Sequence, residues 1–267
     1  REVMTRRFAR AMEDLTSGLQ TWRLSWALAR LDLRNRYRGS VIGPFWLTLS
    51  TAAMLAGLGL LYSRLLGISL RDYLPHLAVS LVVWNVINGL VTDACTALTG
   101  AEGVIRQMRL PFTTHALRCV FRNVLTAAHN IPLLFLVLAI FNRWPGPEVV
   151  LLVPGLLIFF LNALAASVFL GMVCARFRDV GPIVTNIMQL AFFMSPVIWK
   201  ADLLSPATQA WLPLNPFYDL LEVLRGPLVD GGGAMMAWVG AILYTLAATG
   251  LALGFFVRFR GRLAFWV

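Results

Sequence analysis

The feature that most constrains this chain is a series of six long apolar stretches, between which most of its charged residues lie. The stretches cover residues 41–63, 77–98, 123–141, 149–173, 182–199 and 234–257. An α-helix rises 1.5 Å per residue, so about 20 apolar residues are needed to cross a hydrocarbon layer of about 30 Å. Only 13% of the residues are charged, whereas a soluble domain has about 25%. The sequence therefore predicts an all-α integral membrane protein, one domain over residues 1–267, with six transmembrane helices of which the fifth is short.

The distribution of basic residues predicts how these helices are oriented. If the N-terminus faces the cytoplasm, 18 of the 23 arginine and lysine residues lie on that side and five lie outside. Cytoplasmic segments of membrane proteins carry such an excess of basic residues. We therefore expect a multi-pass protein with both termini in the cytoplasm. The net charge of +10 has the same origin, and no nucleic-acid partner is expected, because the basic residues are scattered between apolar spans.

Residues 15–38, ahead of the first span, are predicted to form an amphipathic helix. Apolar and aromatic side chains recur there every three or four residues, with arginines between them. A helix of this kind lies in the membrane interface, with its basic face near anionic lipid headgroups. This helix can serve as a membrane anchor and as a docking surface for a cytoplasmic partner. The two functions are compatible, and the sequence favours neither.

The segment between the fifth and sixth spans, residues 203–229, is too apolar for a free loop. It predicts one or two short helices that enter the membrane from the outside and return. Asn215 followed by Pro216 is typical of a helix start, with asparagine as the N-cap. We expect this helix to end near Arg225, before Gly226 and Pro227.

The sequence lacks the residues that most catalytic sites require. A phosphate-binding P-loop needs a lysine after its glycines, and the only lysine, Lys200, follows Trp199 on the predicted outer side. Neither a zinc-protease motif nor a Cys/His cluster occurs, and Cys95, Cys119 and Cys174 have no metal-ligand spacing. The chain is therefore predicted not to be an enzyme and to bind neither cofactor nor metal.

Polar and aromatic residues within the spans are candidates for the lining of a hydrated conduit. The candidates are Phe45, Trp46, Trp84, Asn85, Asn88, Asn130, Asn186 and Gln189. Amides also form hydrogen bonds between membrane helices, and aromatic rings also collect at the interfaces, so both explanations stay open. Asp93 is expected to pair with an arginine at the membrane interface, since an isolated charge within a span is costly.

Six sequence blocks, in order, resemble those of polysaccharide-exporting ABC transporter permeases. The blocks are LRNRYRGSVIGPFWL at 33–47, LVVWN at 81–85, EGVIRQMRLP at 102–111, CARFRD at 174–179, LNPFYDLLEVLR at 214–225 and RLAFWV at 262–267. The resemblance extends from about residue 24 to residue 267, and the ending is most similar to the O-antigen and teichoic acid branch. One departure is Asp219, at a position that is variable and often histidine in that family.

This resemblance implies a homodimer in the inner membrane of a bacterium, each copy paired with a separate nucleotide-binding ATPase subunit that holds ATP and magnesium. It implies export of a lipid-linked polysaccharide, and an outer gate at the start of the re-entrant helix, with residues Asn215, Pro216, Phe217 and Tyr218. A short coupling helix over residues 101–110, stopped by Pro111, is expected to dock on the ATPase. Glu102, Arg106, Gln107 and Arg109 are its candidate contacts, and Arg176, Arg178 and Asp179 form a second candidate contact.

Arg34, Arg36, Tyr37 and Arg38 are candidates for the headgroup site of the lipid-linked substrate, because the guanidinium group donates hydrogen bonds in a fork that suits phosphate oxygens. Ordinary phospholipid headgroups are the simpler ligand for the same residues. Three other classes of protein remain open: an exporter of drugs or small lipids with the same architecture, a membrane-embedded glycan transferase, and a passive channel or scaffold.

Overall fold

The computed structural model describes residues 2–267, with side chains from residue 4 onward, and every regular element in that part of the chain is a helix. Arg1, one of the nine arginines ahead of the first predicted span, lies outside it. The α-helices are α1 (Glu2–Gln20), α2 (Trp22–Arg36), α3 (Phe45–Leu65), α4 (Leu70–Ala94), α5 (Glu102–Gln107), α6 (Phe112–Ala128), α7 (Ile131–Ile140), α8 (Leu152–Arg176), α9 (Val180–Met194), α10 (Pro206–Gln209), α11 (Pro216–Val229), α12 (Met235–Phe259) and α13 (Leu263–Trp266). Short 3-10 helices cover Thr99–Ala101, Pro147–Leu151, Ala201–Leu203, Leu212–Leu214 and Arg260–Arg262.

Five helical segments of the described chain are long and apolar enough to cross a membrane. They are Phe45–Leu65, Leu70–Ala94, Phe112–Ile140, Pro147–Arg176 and Met235–Trp266. The multi-helix membrane architecture is thereby confirmed. The predicted fifth span, residues 182–199, corresponds to α9, which has only 15 residues and a length of about 22 Å. A bend at Ser195, whose backbone is extended, ends α9 before the stretch of apolar residues is complete.

Helix α4 is the central helix of the bundle. In its most apolar window 61% of the residues are buried, against 17–28% in the corresponding windows of the other four segments. Tyr73, Leu77, Leu81 and Ile87 of α4 lie in a core cluster that also takes residues from α6, α8, α9, α11 and α12. The outer faces of the other segments carry exposed large apolar side chains such as Leu61, Phe135 and Leu246. Lipid or another protein must cover those faces.

The predicted amphipathic helix over residues 15–38 is two helices, α1 and α2, which meet at Thr21. The Thr21 hydroxyl donates a hydrogen bond of 2.9 Å to the carbonyl of Ser17, a local bond of the kind that competes with helix continuation. Gly18 is pressed against α6: a Cβ atom there would lie 2.6 Å from the Cβ of Thr113. The chain therefore turns at this point, and both helices pack along α6.

The start of α11 is as predicted, but its end is not. Asn215 caps the helix, and its Oδ1 accepts a hydrogen bond of 3.0 Å from the backbone N–H of Phe217. The helix runs through Gly226 and Pro227 to Val229, so the predicted stop near Arg225 is wrong. It continues because the turn after it folds back: the Gly226 carbonyl accepts hydrogen bonds from the N–H groups of Asp230 and Gly232.

Candidate functional site

Both ends of the chain meet at one end of the bundle, which we call the basic end and define by α1, α5, the start of α6 and residues 260–267. Arg106 Nη2 donates a hydrogen bond of 3.1 Å to the carbonyl of Val267. Ala11 of α1, Ala116 of α6 and Leu263 of α13 lie in one buried apolar cluster. The opposite end of the bundle carries the start of α4, Lys200 and the turn between α11 and α12.

Asp14 holds three segments of the basic end together. Its side chain is fully buried. The carboxylate accepts hydrogen bonds from the backbone N–H groups of Phe112 (3.2 Å) and Thr113 (3.1 Å), from the Thr113 hydroxyl (2.9 Å) and from Arg260 Nε (2.8 Å). It thus serves as a cap for the first N–H groups of α6, although it belongs to α1. Sequence reasoning missed Asp14, since nothing local marks a cap that lies about a hundred residues away.

The predicted coupling helix over residues 101–110 is shorter in the structure. Helix α5 ends at Gln107, because Met108 has an extended backbone. Arg106 and Glu102 form an ion pair of 2.7 Å and share one face, as predicted, but Arg109 does not continue that face. Gln107 and Arg109 are exposed, and Pro111 is half-buried at the start of α6.

The structure brings the second predicted contact next to the first. Glu102 and Arg178 line the same cavity, of about 500 Å³, between the ends of α4 and α8 and the start of α9. Arg176 lies over the ring of Trp266, 5.7 Å from its centroid, and thereby contacts the C-terminal turn. Arg178 and Asp179 are exposed. Candidate residues that are more than 70 positions apart in sequence therefore form one continuous surface.

A network of ionic contacts fixes α2 to the bundle. Arg118 of α6 forms a two-pronged ion pair with Asp32 of α2. Arg122 bridges Asp32 (3.2 Å) to Asp93 (3.1 Å). Asp93 also accepts a hydrogen bond from Asn123. The expected arginine partner of Asp93 is therefore present.

The predicted headgroup residues lie at the end of α2, beside this network. Arg36 is 3.7 Å from Asp93 and its side chain is 47% exposed, so it is tied to the bundle at one end only. Arg34 and Arg38 are exposed, and Tyr37 is half-buried. The side chains of Arg34 and Arg38, and the exposed part of the Arg36 side chain, can therefore contact an anionic group.

The conduit candidates divide into an outward-facing set and a buried set. Asn186 and Gln189 of α9 are exposed, Asn88 of α4 is half-buried, and Asn85 is exposed while bonded to Thr51. Phe45 and Trp46, at the start of α3, are about half exposed. Trp84 and Asn130 are each 4% exposed and lie in the interior of the helix bundle. Because uncovered amides are unfavourable in hydrocarbon, the face with the exposed amides needs water or protein against it.

The predicted outer-gate residues are wedged between α4, α9 and α12. Asn215 Nδ2 donates a hydrogen bond of 3.0 Å to the hydroxyl of Ser195, at the end of α9. The ring of Phe217 packs against that of Trp84, with centroids 5.9 Å apart. Tyr218 is buried, and Pro216 is the first residue of the helix.

Three charged residues that sequence reasoning missed are buried on α11, spaced by three. Asp219, Glu222 and Arg225 are 0%, 6% and 2% exposed. Arg225 pairs with Glu222 (2.6 Å) and donates to the hydroxyl of Ser80 (3.0 Å) and to the carbonyl of Pro196 (2.6 Å). It therefore joins α11 to α4 and to the segment after α9. The regular spacing was a signal that these side chains share one face, but not that this face is buried.

Comparison with known proteins gives two kinds of match. The family described as ABC-2 type transporter matches residues 23–229. The O-antigen export system permease protein RfbA of Myxococcus xanthus is 26% identical, over 73% of this chain and 76% of that protein. The protein of the same name from Klebsiella pneumoniae is 20% identical, over 75% of this chain and 78% of that protein.

Proposed function

Because this chain belongs to the ABC-2 type transporter family, we propose that it is the permease subunit of an exporter for lipid-linked polysaccharide, O-antigen or a similar cell-surface glycan. The two similar O-antigen export permeases support this cargo, since each match covers about three quarters of both chains. The structural observation that carries the proposal is the set of exposed and half-buried amides on α4 and α9, which we call the amide face and define by Asn85, Asn88, Asn186 and Gln189. A sugar chain has hydroxyl groups at its edges, which amides can bond without adding charge.

We propose that the chain crosses the bacterial inner membrane six times, with both termini in the cytoplasm. Contacts of Asp14 with Arg260 and of Arg106 with Val267 support an even number of crossings, because they keep both ends of the chain at the same end of the bundle. Five crossings would separate them, so α9 and the segment after it supply the sixth. The excess of arginine supports placing the basic end in the cytoplasm.

A second copy of the chain is the proposed cover for the amide face. Exposed Asn186 and Gln189 lie in the middle of α9, where hydrocarbon would leave their hydrogen bonds unmade. Two copies facing each other would enclose these amides together with Phe45 and Trp46. The resulting space between the copies is the proposed conduit, and residues 215–218 would close it on the outside.

Energy is proposed to come from ATP and magnesium bound to a separate nucleotide-binding subunit, since this chain offers no P-loop lysine. The surface formed by Glu102, Arg106 and Arg178 is the proposed docking site. ATP closure of the partner would shift the populations of inward-open and outward-open states through a different affinity for each. The exposed side chains of Arg34 and Arg38, with Arg36 and Tyr37, would meet the phosphate of the lipid carrier as the substrate enters.

An exporter of small amphiphiles is the second candidate, and one cavity favours it. About 320 Å³ of space, lined mainly by apolar residues that include Phe159, Phe217 and Leu251, lies between α4, α8, α11 and α12. Such a cavity suits an apolar ligand better than a sugar chain.

Both candidates are tested by purifying the chain with its nucleotide-binding subunit and measuring ATPase activity in lipid nanodiscs. We expect a stable complex whose activity rises when lipid-linked polysaccharide is added. Stimulation by small amphiphiles alone would favour the second candidate. Failure to form any complex would contradict the energy coupling proposed for both.

A further inference from the structure

A second polar cavity, of about 370 Å³, opens at the end of the bundle opposite the basic end. Its walls come from four places in the sequence: the start of α4, the segment from Arg143 to Glu148, Lys200, and the turn from Pro227 to Gly231. The volume is at the lower end of the range of about 300–1,000 Å³ that is usual for ligand pockets. The proposed conduit face does not include these residues.

The floor of this cavity carries two polar groups, the buried His76 and Asp230, whose side chain is 33% exposed. His76 is 5% exposed and lines the cavity, and its Nδ1 has no hydrogen-bond partner in the described chain. Asp230 lies 3.6 Å from that atom and 3.1 Å from Arg225 Nε. Burial alone would raise the pKa of the Asp230 carboxyl, but the adjacent His76 ring and the Arg225 guanidinium lower it below its ordinary value. An ionised carboxylate, which can accept further hydrogen bonds, therefore lies beside the His76 imidazole.

The charges around the cavity nearly cancel. Asp72, Glu148 and Asp230 contribute carboxylates, and Arg143 and Lys200 contribute cations, with Arg225 beneath. Arg143 is already paired with Asp72, and Lys200 Nζ is 3.4 Å from the Asp72 carbonyl. The carboxylates would repel a free phosphate, and the cations would repel a metal ion. A neutral polyol suits the mixture better, because each hydroxyl can donate to a carboxylate and accept from a cation.

One wall of the cavity is aromatic. Trp144 is 56% exposed and lines the cavity, while its ring contacts Phe135. A half-exposed indole beside hydrogen-bonding groups matches the two surfaces of a sugar ring, which has C–H groups on its face and hydroxyls at its edge. A ligand with apolar surface only would cover the exposed part of the Asp230 carboxylate and offer it no hydrogen-bond donor.

We propose that this cavity is a saccharide-binding subsite, which holds one or two sugar units of the exported glycan on the outer side of the membrane. Trp144 stacks on the sugar face, and His76, Asp230 and Lys200 bind its hydroxyl groups. The subsite rests on the proposed function. It adds a place outside the membrane where the exported glycan is bound and kept from moving back.

The test measures binding of the free glycan to the purified complex in nanodiscs. The probe is the oligosaccharide released by mild acid from the lipid-linked polysaccharide that stimulates the ATPase, and the readout is its apparent Kd. We expect Trp144→Ala and Lys200→Ala each to raise that Kd about tenfold, the effect of losing one good contact. Trp211→Ala and Arg71→Ala are the matched controls, because these residues are exposed and line no part of the cavity.

The outcomes separate the subsite from the proposed function. The subsite alone would be overturned if lipid-linked polysaccharide stimulates the ATPase but the unaltered complex does not bind the glycan. It would also be overturned if Trp144→Ala and Lys200→Ala bind the glycan as tightly as the unaltered complex. A cavity that responds to calcium or inorganic phosphate but not to the glycan would overturn it as well. Absence of any stimulation by lipid-linked polysaccharide would overturn the proposed function, and the subsite with it.

Discussion

At the scale of single residues, Asp14 makes the connection whose loss should matter most for stability. Replacing it with alanine leaves two backbone N–H groups, a hydroxyl and the Arg260 guanidinium without their acceptor in a buried place. We expect Asp14→Ala to lower the free energy of unfolding by about 2–4 kcal/mol. Glu13→Ala is the matched control, because Glu13 is the exposed neighbour. Thermal unfolding in detergent measures both, and equal midpoints would refute the role of Asp14.

Gly240 shows that a missing side chain can be as specific as a present one. A Cβ atom at this position of α12 would lie 2.1 Å from Oδ2 of the buried Asp219 on α11. Gly240→Ala should therefore force α11 and α12 apart, at a cost of about 1–3 kcal/mol. On the same helix, Gly250 has no atom within 4 Å of such a Cβ, so Gly250→Ala is expected to be neutral. Equal unfolding temperatures of the two variants would contradict the close contact between Gly240 of α12 and Asp219 of α11.

Residues differ in how far the sequence alone could place them. The partner of Asp93 was predictable, since a charge in a span requires one and arginines were close along the chain. Helix capping by Asn215 was predictable from the Asn-Pro pair alone. Asp14 and Arg225 were not, because their partners are distant in sequence and only the folded chain brings them together.

At the scale of helices, α5 offers a test of the docking surface that preserves the charges of the helix. The double substitution Glu102→Arg with Arg106→Glu exchanges the two charges of this helix. It keeps the ion pair and the net charge but reverses the order of positive and negative charge on the docking surface. We expect the complex to remain assembled and stimulation of its ATPase by lipid-linked polysaccharide to fall at least about fivefold, the low end of coupling between distant sites.

The control for this exchange is the thermal stability of the permease alone, which should stay the same. Undiminished stimulation would show that α5 does not transmit energy between the subunits. A loss of stability would instead implicate the hydrogen bond from Arg106 to Val267.

Helix positions were more predictable than helix ends. Apolar length indicated all five long segments, but the third begins at Phe112, well before the predicted residue 123. The polar residues between Thr113 and Arg122 made this part of the segment look too hydrophilic for a span. In the folded chain their partners are other residues of the bundle, among them Asp14 and Asp32. The break at Thr21 was not predictable from the sequence for a similar reason, because it depends on the contact of Gly18 with the distant Thr113.

At the scale of the whole molecule, the number of crossings determines which residues face which side. With the N-terminus in the cytoplasm, Arg71 follows the first crossing and would lie outside. The proposed six crossings would return Arg262 to the cytoplasm, whereas an odd number would leave it outside with Arg71. We expect Arg71→Cys, but not Arg262→Cys, to react with a membrane-impermeant maleimide added to intact cells. The three native cysteines are buried and provide a low background. Labelling of Arg262→Cys under these conditions would contradict the topology.

The central position of α4 has a consequence for how proteins of this kind can diverge. A side chain on the outer face of α8 or α12 can be exchanged for almost any apolar one, because lipid adapts to its shape. Along α4, neighbouring helices fix the volume at nearly every position between Tyr73 and Trp84. Substitutions there must be matched by compensating changes on a second helix. The sequence of α4 should therefore change more slowly than those of the surrounding helices. Distant relatives should remain recognisably similar along α4 after the similarity of the other helices is lost.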